Sequence, residues 1–203
     1  GVGVTEGLGL LLATGASDCE RIRDGFVAQP ASTLSALAYV AVGIWIVVRF
    51  RQRVARVFGL LVVVVGVGSV GYHGWDDGRV EFVHDAAFSG ALLFIAGFEL
   101  VHSRLAGGRF PIERRSVGYW VGTGAFAIGL TVNLLGRTDA PLCAPGSAIQ
   151  WHAVWHVATA AALGAWAWGA LGQKVRDFDQ TRRTYGGDAV QSHGADVPAG
   201  DAY

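Results

Sequence analysis

The chain has 203 residues, 52% of them hydrophobic and 16% charged, with a formal net charge of zero. That balance excludes an ordinary soluble domain, where charged residues make up about a quarter, and points to a membrane protein. The basic residues gather in short clusters between apolar runs, which leaves no basic face for nucleic acid.

In chain order, residues 1–30 read as an outer-face segment. Its apolar run Gly7 to Ala13 is too short to span a bilayer and lacks the basic start of a signal peptide. With no methionine anywhere, the chain is read as trimmed of its initiator residue. Five apolar runs follow, at about 31–50, 57–75, 82–103, 117–136 and 150–172. Each matches the roughly 20 residues that a helix needs to cross hydrocarbon. The expected fold is therefore all-α, a polytopic membrane helix bundle over residues 31–172. Beyond residue 173 the sequence turns to Gly, Asp, Gln and Ser without periodicity, so 173–203 are expected to form a mostly disordered tail.

Charge asymmetry orients the bundle. Arg49, Arg51, Arg53 and Arg56 follow the first run, Arg104, Arg109, Arg114 and Arg115 the third, and Lys174, Arg176, Arg182 and Arg183 the fifth. Only Arg21, Arg23, Arg79 and Arg137 lie on the opposite side. The more basic side is expected in the cytoplasm, with the amino terminus outside and the carboxyl terminus inside. Cys19 and Cys143 then share the outer face, where an oxidising compartment permits a disulfide; two unrelated thiols are the alternative.

Ionisable groups inside apolar spans are expensive and default to a functional reading. The second span ends in "GVGSVGYHGW", placing Ser69 and His73 one helical turn apart. The third begins "EFVHDAAFSG", with His84 and Asp85 about one turn from the same surface, and "QWHAVWH" puts His152 and His156 at the start of the fifth. All fall at one outer depth. Histidines at i and i+4 share a helix face and suit a single ion, and His73 from a neighbouring helix would complete a three-histidine zinc site with an open fourth position, the catalytic form of such sites. The bland alternatives are interfacial histidines, the reading given to His102 and His193, and a serine bonded to its own backbone at Ser69. Trp45, Trp120, Trp166 and Trp168 read as interface or packing residues, and Trp75 and Trp151 as part of an outer aromatic belt.

Taken together these stretches resemble the alkaline ceramidases, a family within a superfamily of membrane hydrolases that also includes the adiponectin and progestin receptors. "GVGSVGYH" resembles the family's Gly-Ser-x-x-x-His element, "HD" at 84–85 sits where its aspartate falls, and "HAVWH" is similar to its paired histidines. "SDCERIRDGFVAQPASTLSAL" resembles the segment before its first span, and "NLLGRTDAPLC" the segment that supplies a partner cysteine. The resemblance covers most of residues 17–170. It implies zinc at His73, His152 and His156, a role for Ser69 and Asp85 beside the metal or in catalysis, and a disulfide between Cys19 and Cys143. Three departures stand out. Five spans replace the family's seven. The gap from His73 to Asp85 is one residue longer than in the animal enzymes, leaving His84 as the alternative occupant of the aspartate's slot. The weak calcium site that the resemblance implies keeps Asp18 and Glu20 but has Gln29 where a carboxylate is expected.

The expected activity is hydrolysis of ceramide or a related N-acyl lipid entering from the outer leaflet. Zinc would activate water and polarise the amide carbonyl, Asp85 would carry the proton, and Ser69 would bind the oxyanion or orient a ligand. Two other readings compete: a receptor-like protein that keeps the metal for stability only, and a bis-histidine haem protein using His73 or His84 with His156.

Overall fold

A computed structural model describes residues 18–75, 78–105 and 116–191. Residues 1–17, with the Gly7 to Ala13 run, lie outside that description, as do 192–203 with His193 and the 106–115 loop with Arg109, Arg114 and Arg115. Among the described residues the fold is all-helical: α1 Pro30–Arg49, α2 Arg53–Trp75, α3 Gly78–Leu105, α4 Val117–Leu135 and α5 Trp151–Gln191.

Pro30 opens α1, a position where the missing N–H costs nothing. Gln29 before it offers no side-chain cap. Glu20 supplies one from a distance: its Oε1 accepts the Ala31 N–H at 2.8 Å, and its Oε2 accepts the Ser32 N–H at 2.9 Å and the Ser32 hydroxyl at 2.7 Å. A carboxylate there also meets the positive end of the helix dipole. Ser116 caps α4 more simply, accepting the Tyr119 N–H.

Four segments, Pro30–Arg49, Arg53–Trp75, Phe82–Val101 and Val117–Leu135, are long and apolar enough to cross a membrane. The fifth expected span corresponds to α5, whose opening turns carry Trp151, His152, Trp155 and His156. Those polar and amphipathic side chains dilute its apolar character, and of them Trp155 and His156 are buried while Trp151 and His152 are half-buried. Trp155, His156, Thr159, Ala160, Leu163, Trp166, Ala167 and Leu171 all lie in the interior. The sequence reading ends regular structure near residue 173, yet α5 runs unbroken to Gln191. Its extension "GQKVRDFDQTRRTY" contains no proline and is rich in straight-chain helix formers, so propensity alone can propagate a helix already nucleated.

The helices pack in the order α3, α2, α1, α5, α4, and α2 also touches α5. The end members α3 and α4 do not pack on each other among the described residues. Trp155 of α5 bridges the space between them, its ring 5.8 Å from Phe88 of α3 and 5.6 Å from Phe126 of α4. Close approach of α1 and α2 depends on two glycines: a Cβ on Gly43 would sit 2.6 Å from the Gly59 carbonyl oxygen. Membrane helices associate through such small residues because apolar burial gives little drive within lipid. Deeper in the bundle, Trp166 packs against Phe58 and Phe98 at 4.9 and 5.4 Å, and its indole N–H donates to Glu99 Oε1 at 3.0 Å. Trp45 and Trp168 stack at 6.1 Å, with the Arg49 guanidinium 5.2 Å from the Trp168 ring.

Candidate metal centre

Helical spacing brings the candidate residues to one end of the bundle. The last turns of α2 bury Ser69 and His73, and the first turns of α5 bury His156 beside the half-buried His152. The rings of His73, His152 and His156 lie 4.5, 4.9 and 5.1 Å apart by centroid, and one nitrogen from each comes within 4.8 Å of the others. The three residues singled out from spacing are therefore one cluster.

Their hydrogen bonds fix which nitrogen faces inward. The His73 Nδ1–H donates to Gln29 Oε1 at 2.6 Å. That oxygen assignment is self-consistent, because Gln29 Nε2 donates to the Glu20 carbonyl at 3.1 Å. The His152 Nδ1–H donates to Asp18 Oδ1 at 2.9 Å, with Asn133 Oδ1 at 3.0 Å. The His156 Nδ1–H donates to the Ser32 carbonyl at 3.1 Å, with Ser35 Oγ at 2.9 Å. Every one of these partners offers an acceptor. A proton on each Nδ1 satisfies these partners and leaves each Nε2 for the interior of the cluster.

The inward nitrogens of His73 and His152 are buried without a hydrogen-bond partner among the described residues. His156 Nε2 meets Ser69 Oγ at 3.3 Å. Buried acceptors left unpaired cost about 1–3 kcal/mol each. Three imidazoles, each with Nδ1 bonded to an outer oxygen and one nitrogen of each within 4.8 Å of the others, are the donor set that suits a divalent transition metal. The residues present fit such an ion.

An arm of chain covers the cluster. Residues 18–29 run along the end of α2, with the Ala28 and Gln29 N–H groups donating to the Gly74 and His73 carbonyls, both at 2.9 Å. Asp18 forms a backbone bridge to Arg137, and Cys19 is disulfide-bonded to Cys143 with 5.4 Å between their Cα atoms. The expected cystine is present. Cys19 directly follows Asp18, whose Oδ1 lies 2.9 Å from His152 Nδ1 and whose Oδ2 lies 3.5 Å from His73 Nδ1.

Asp18 and Glu20, expected as weak calcium ligands, each have partners within the chain. Asp18 faces two histidines, and both Glu20 oxygens are taken by the first turn of α1. Gln29 serves His73 rather than a cation. Asp85, expected to act directly, has its Oδ1 2.9 Å from His84 Nδ1. On α3 it is the His84 ring that faces the cluster, 6.3 Å from His73 and 6.4 Å from His156. Of His102 the structure describes the backbone alone.

Sequence reasoning missed Gln29, Asn133, Ser32 and Ser35 as partners of the histidines. Asn133 carried a usable signal, since an amide near the end of an apolar span needs a partner. Glu99 carried the same signal in the third span. Ser32 acts through its carbonyl, which no residue identity encodes. No protein-family model, curated protein or solved structure matches the chain, so the interpretation of the centre rests on its own geometry.

Proposed function

We propose that the protein is a zinc-dependent membrane hydrolase of linear amides, with ceramide or a related N-acyl lipid as substrate and a fatty acid and an amine as products. The observation that carries this reading is the hydrogen-bond pattern: each Nδ1 meets an outer oxygen, and one nitrogen of each ring lies within 4.8 Å of the others. His73, His152 and His156 would hold the ion. A three-histidine site leaves a coordination position open, and zinc bound there supplies Lewis acidity and a water of pKa about 7.

The remaining chemistry belongs to the chain. Gln29, Asp18, Asn133 and Ser32 orient the imidazoles and raise their basicity through Nδ1. Ser69, one turn before His73 and against His156, is placed to hydrogen-bond the oxygen of a carbonyl drawn to the centre. A proton carrier comes from the start of α3, where His84 and Asp85 lie. The membrane setting supports a lipid substrate: an acyl chain stays in hydrocarbon while its amide meets the polar end of the bundle. The distribution of basic residues supports an outer, non-cytoplasmic position for that end, with the amino terminus outside and the carboxyl terminus in the cytoplasm.

A receptor-like role in which the metal only stabilises the fold shares the same ligands and differs in turnover. Haem is disfavoured because His73 and His84, the candidates to pair with His156, lie 5.1 and 6.4 Å from it by ring centroid in a cluster that His152 also joins, which leaves no room for a macrocycle between them. The test is metal content by mass spectrometry on detergent-purified protein, together with hydrolysis of a fluorescently labelled ceramide. One zinc per chain, lost in His156→Ala along with turnover, is the expected result. Full hydrolysis by His156→Ala, or wild type without zinc, would overturn the reading; zinc with no hydrolysis of any N-acyl lipid would favour the receptor.

A further inference from the structure

We propose that His84, oriented by Asp85, is the group that takes and returns the proton at the three-histidine centre, and that Asp85 is a positioning residue. The inference rests on the hydrolase reading for its chemistry and on the geometry of α3 for its residues.

Distance separates His84 from the ligands. Imidazoles that share one tetrahedral ion at 2.0–2.1 Å have ring centroids about 5 Å apart, and the three ligand rings are 4.5–5.1 Å apart. His84 stands 6.3 and 6.4 Å from His73 and His156, about an ångström too far to share the ion. It faces the cluster from the neighbouring helix. The ring is also held rather than loose: its Nδ1–H donates to Asp85 Oδ1 at 2.9 Å, and its plane stacks on Tyr72 at 6.3 Å and 20°. With Nδ1 committed, Nε2 is the nitrogen left to accept a proton.

Backbone packing makes the placement possible. A Cβ at Gly68 of α2 would lie 3.1 Å from both the Cα and the N of His84, so glycine there lets α3 approach. Gly68 directly precedes Ser69, and the same contact that admits α3 brings His84 level with the site. Asp85 is the more exposed member, its side chain 39% accessible against 14% for His84. Adjacent residues on a helix point about 100° apart, so a carboxylate beside a cluster-facing histidine acts through that histidine.

In amide hydrolysis, water attacks the acyl carbon and forms a C–O bond while one of its protons passes to His84 Nε2. The C–N bond then breaks, and the same Nε2 returns the proton to the departing nitrogen. The products are a carboxylic acid and an amine, with no proton left over.

Zinc content, turnover of labelled ceramide and calorimetric binding of octanoyl hydroxamic acid would be measured for wild type, His84→Gln, His84→Ala and Asp85→Asn. The hydroxamic acid must give up a proton to bind a metal, so its affinity reads the acceptor without turnover. Expected are zinc retained in all variants, turnover lowered at least 100-fold and hydroxamate affinity at least tenfold in His84→Gln, and partial recovery of His84→Ala by added imidazole. Asp85→Asn should lower kcat about tenfold and leave KM unchanged, as loss of orientation does. Loss of zinc in both His84 variants would make His84 a ligand and overturn the proposal, as would unchanged turnover and hydroxamate binding. A wild type that binds the hydroxamate in a His84-dependent way yet hydrolyses no amide would support the proton acceptor and overturn the hydrolase reading.

Discussion

At the scale of single residues, the centre is built as much from acceptors as from histidines. Asp18 is the most exposed to test, because its two oxygens lie 2.9 and 3.5 Å from Nδ1 of His152 and His73. Asp18→Asn keeps the size and removes the charge. Zinc affinity, measured by competition with a coloured chelator, should fall about 10–100-fold while the helical circular dichroism stays unchanged. An unchanged affinity would mean that Asn133 and Gln29 suffice. The three histidines were legible in the sequence because helical spacing and depth in an apolar run are local properties. Their partners were not. Gln29 meets His73 across 44 residues, and Asn133 meets His152 across 19 through a loop whose course no periodicity reveals. Asp18 and Glu20, two residues apart in sequence, likewise meet different helices, the first at His152 and the second at Ser32.

At the scale of elements, α3 is the most weakly held of the helices. It packs on α2 and reaches α5 through Phe88 on Trp155 and through Phe98 and Glu99 on Trp166. Near the site its approach to α2 passes the close contact at Gly68. Gly68→Val should push α3 outward and displace His84. Turnover should fall at least tenfold while zinc, held by α2 and α5, stays bound. Loss of zinc together with activity would show instead that α2 itself had shifted. Helix positions were mostly readable, since apolar length and flanking charge mark where each span begins and ends. The continuation of α5 to Gln191 was not, because its composition reads as solvent-exposed, and nothing local shows that a buried helix feeds into it.

At the scale of the whole molecule, the Cys19–Cys143 bond ties two segments 124 residues apart, the covering arm and the loop before α5. Cross-links closing loops of that order stabilise soluble chains by about 4–5 kcal/mol in the chain-entropy view, although a membrane-embedded unfolded state has less entropy to lose. The sharper expectation is local. Cys143→Ser should release the arm, lower the thermal midpoint by several degrees and weaken zinc retention by at least tenfold in the chelator assay. Equal zinc retention with and without the bond would show that hydrogen bonding alone seats Asp18. The helix row has a consequence of another kind. Among the described residues α3 and α4 do not pack on each other, and the Trp155 ring bridges Phe88 and Phe126 between them, so that flank of the helix row is the one least covered by protein. Lipid would complete that flank, so on the hydrolase reading turnover in nanodiscs should vary with acyl composition at constant zinc content.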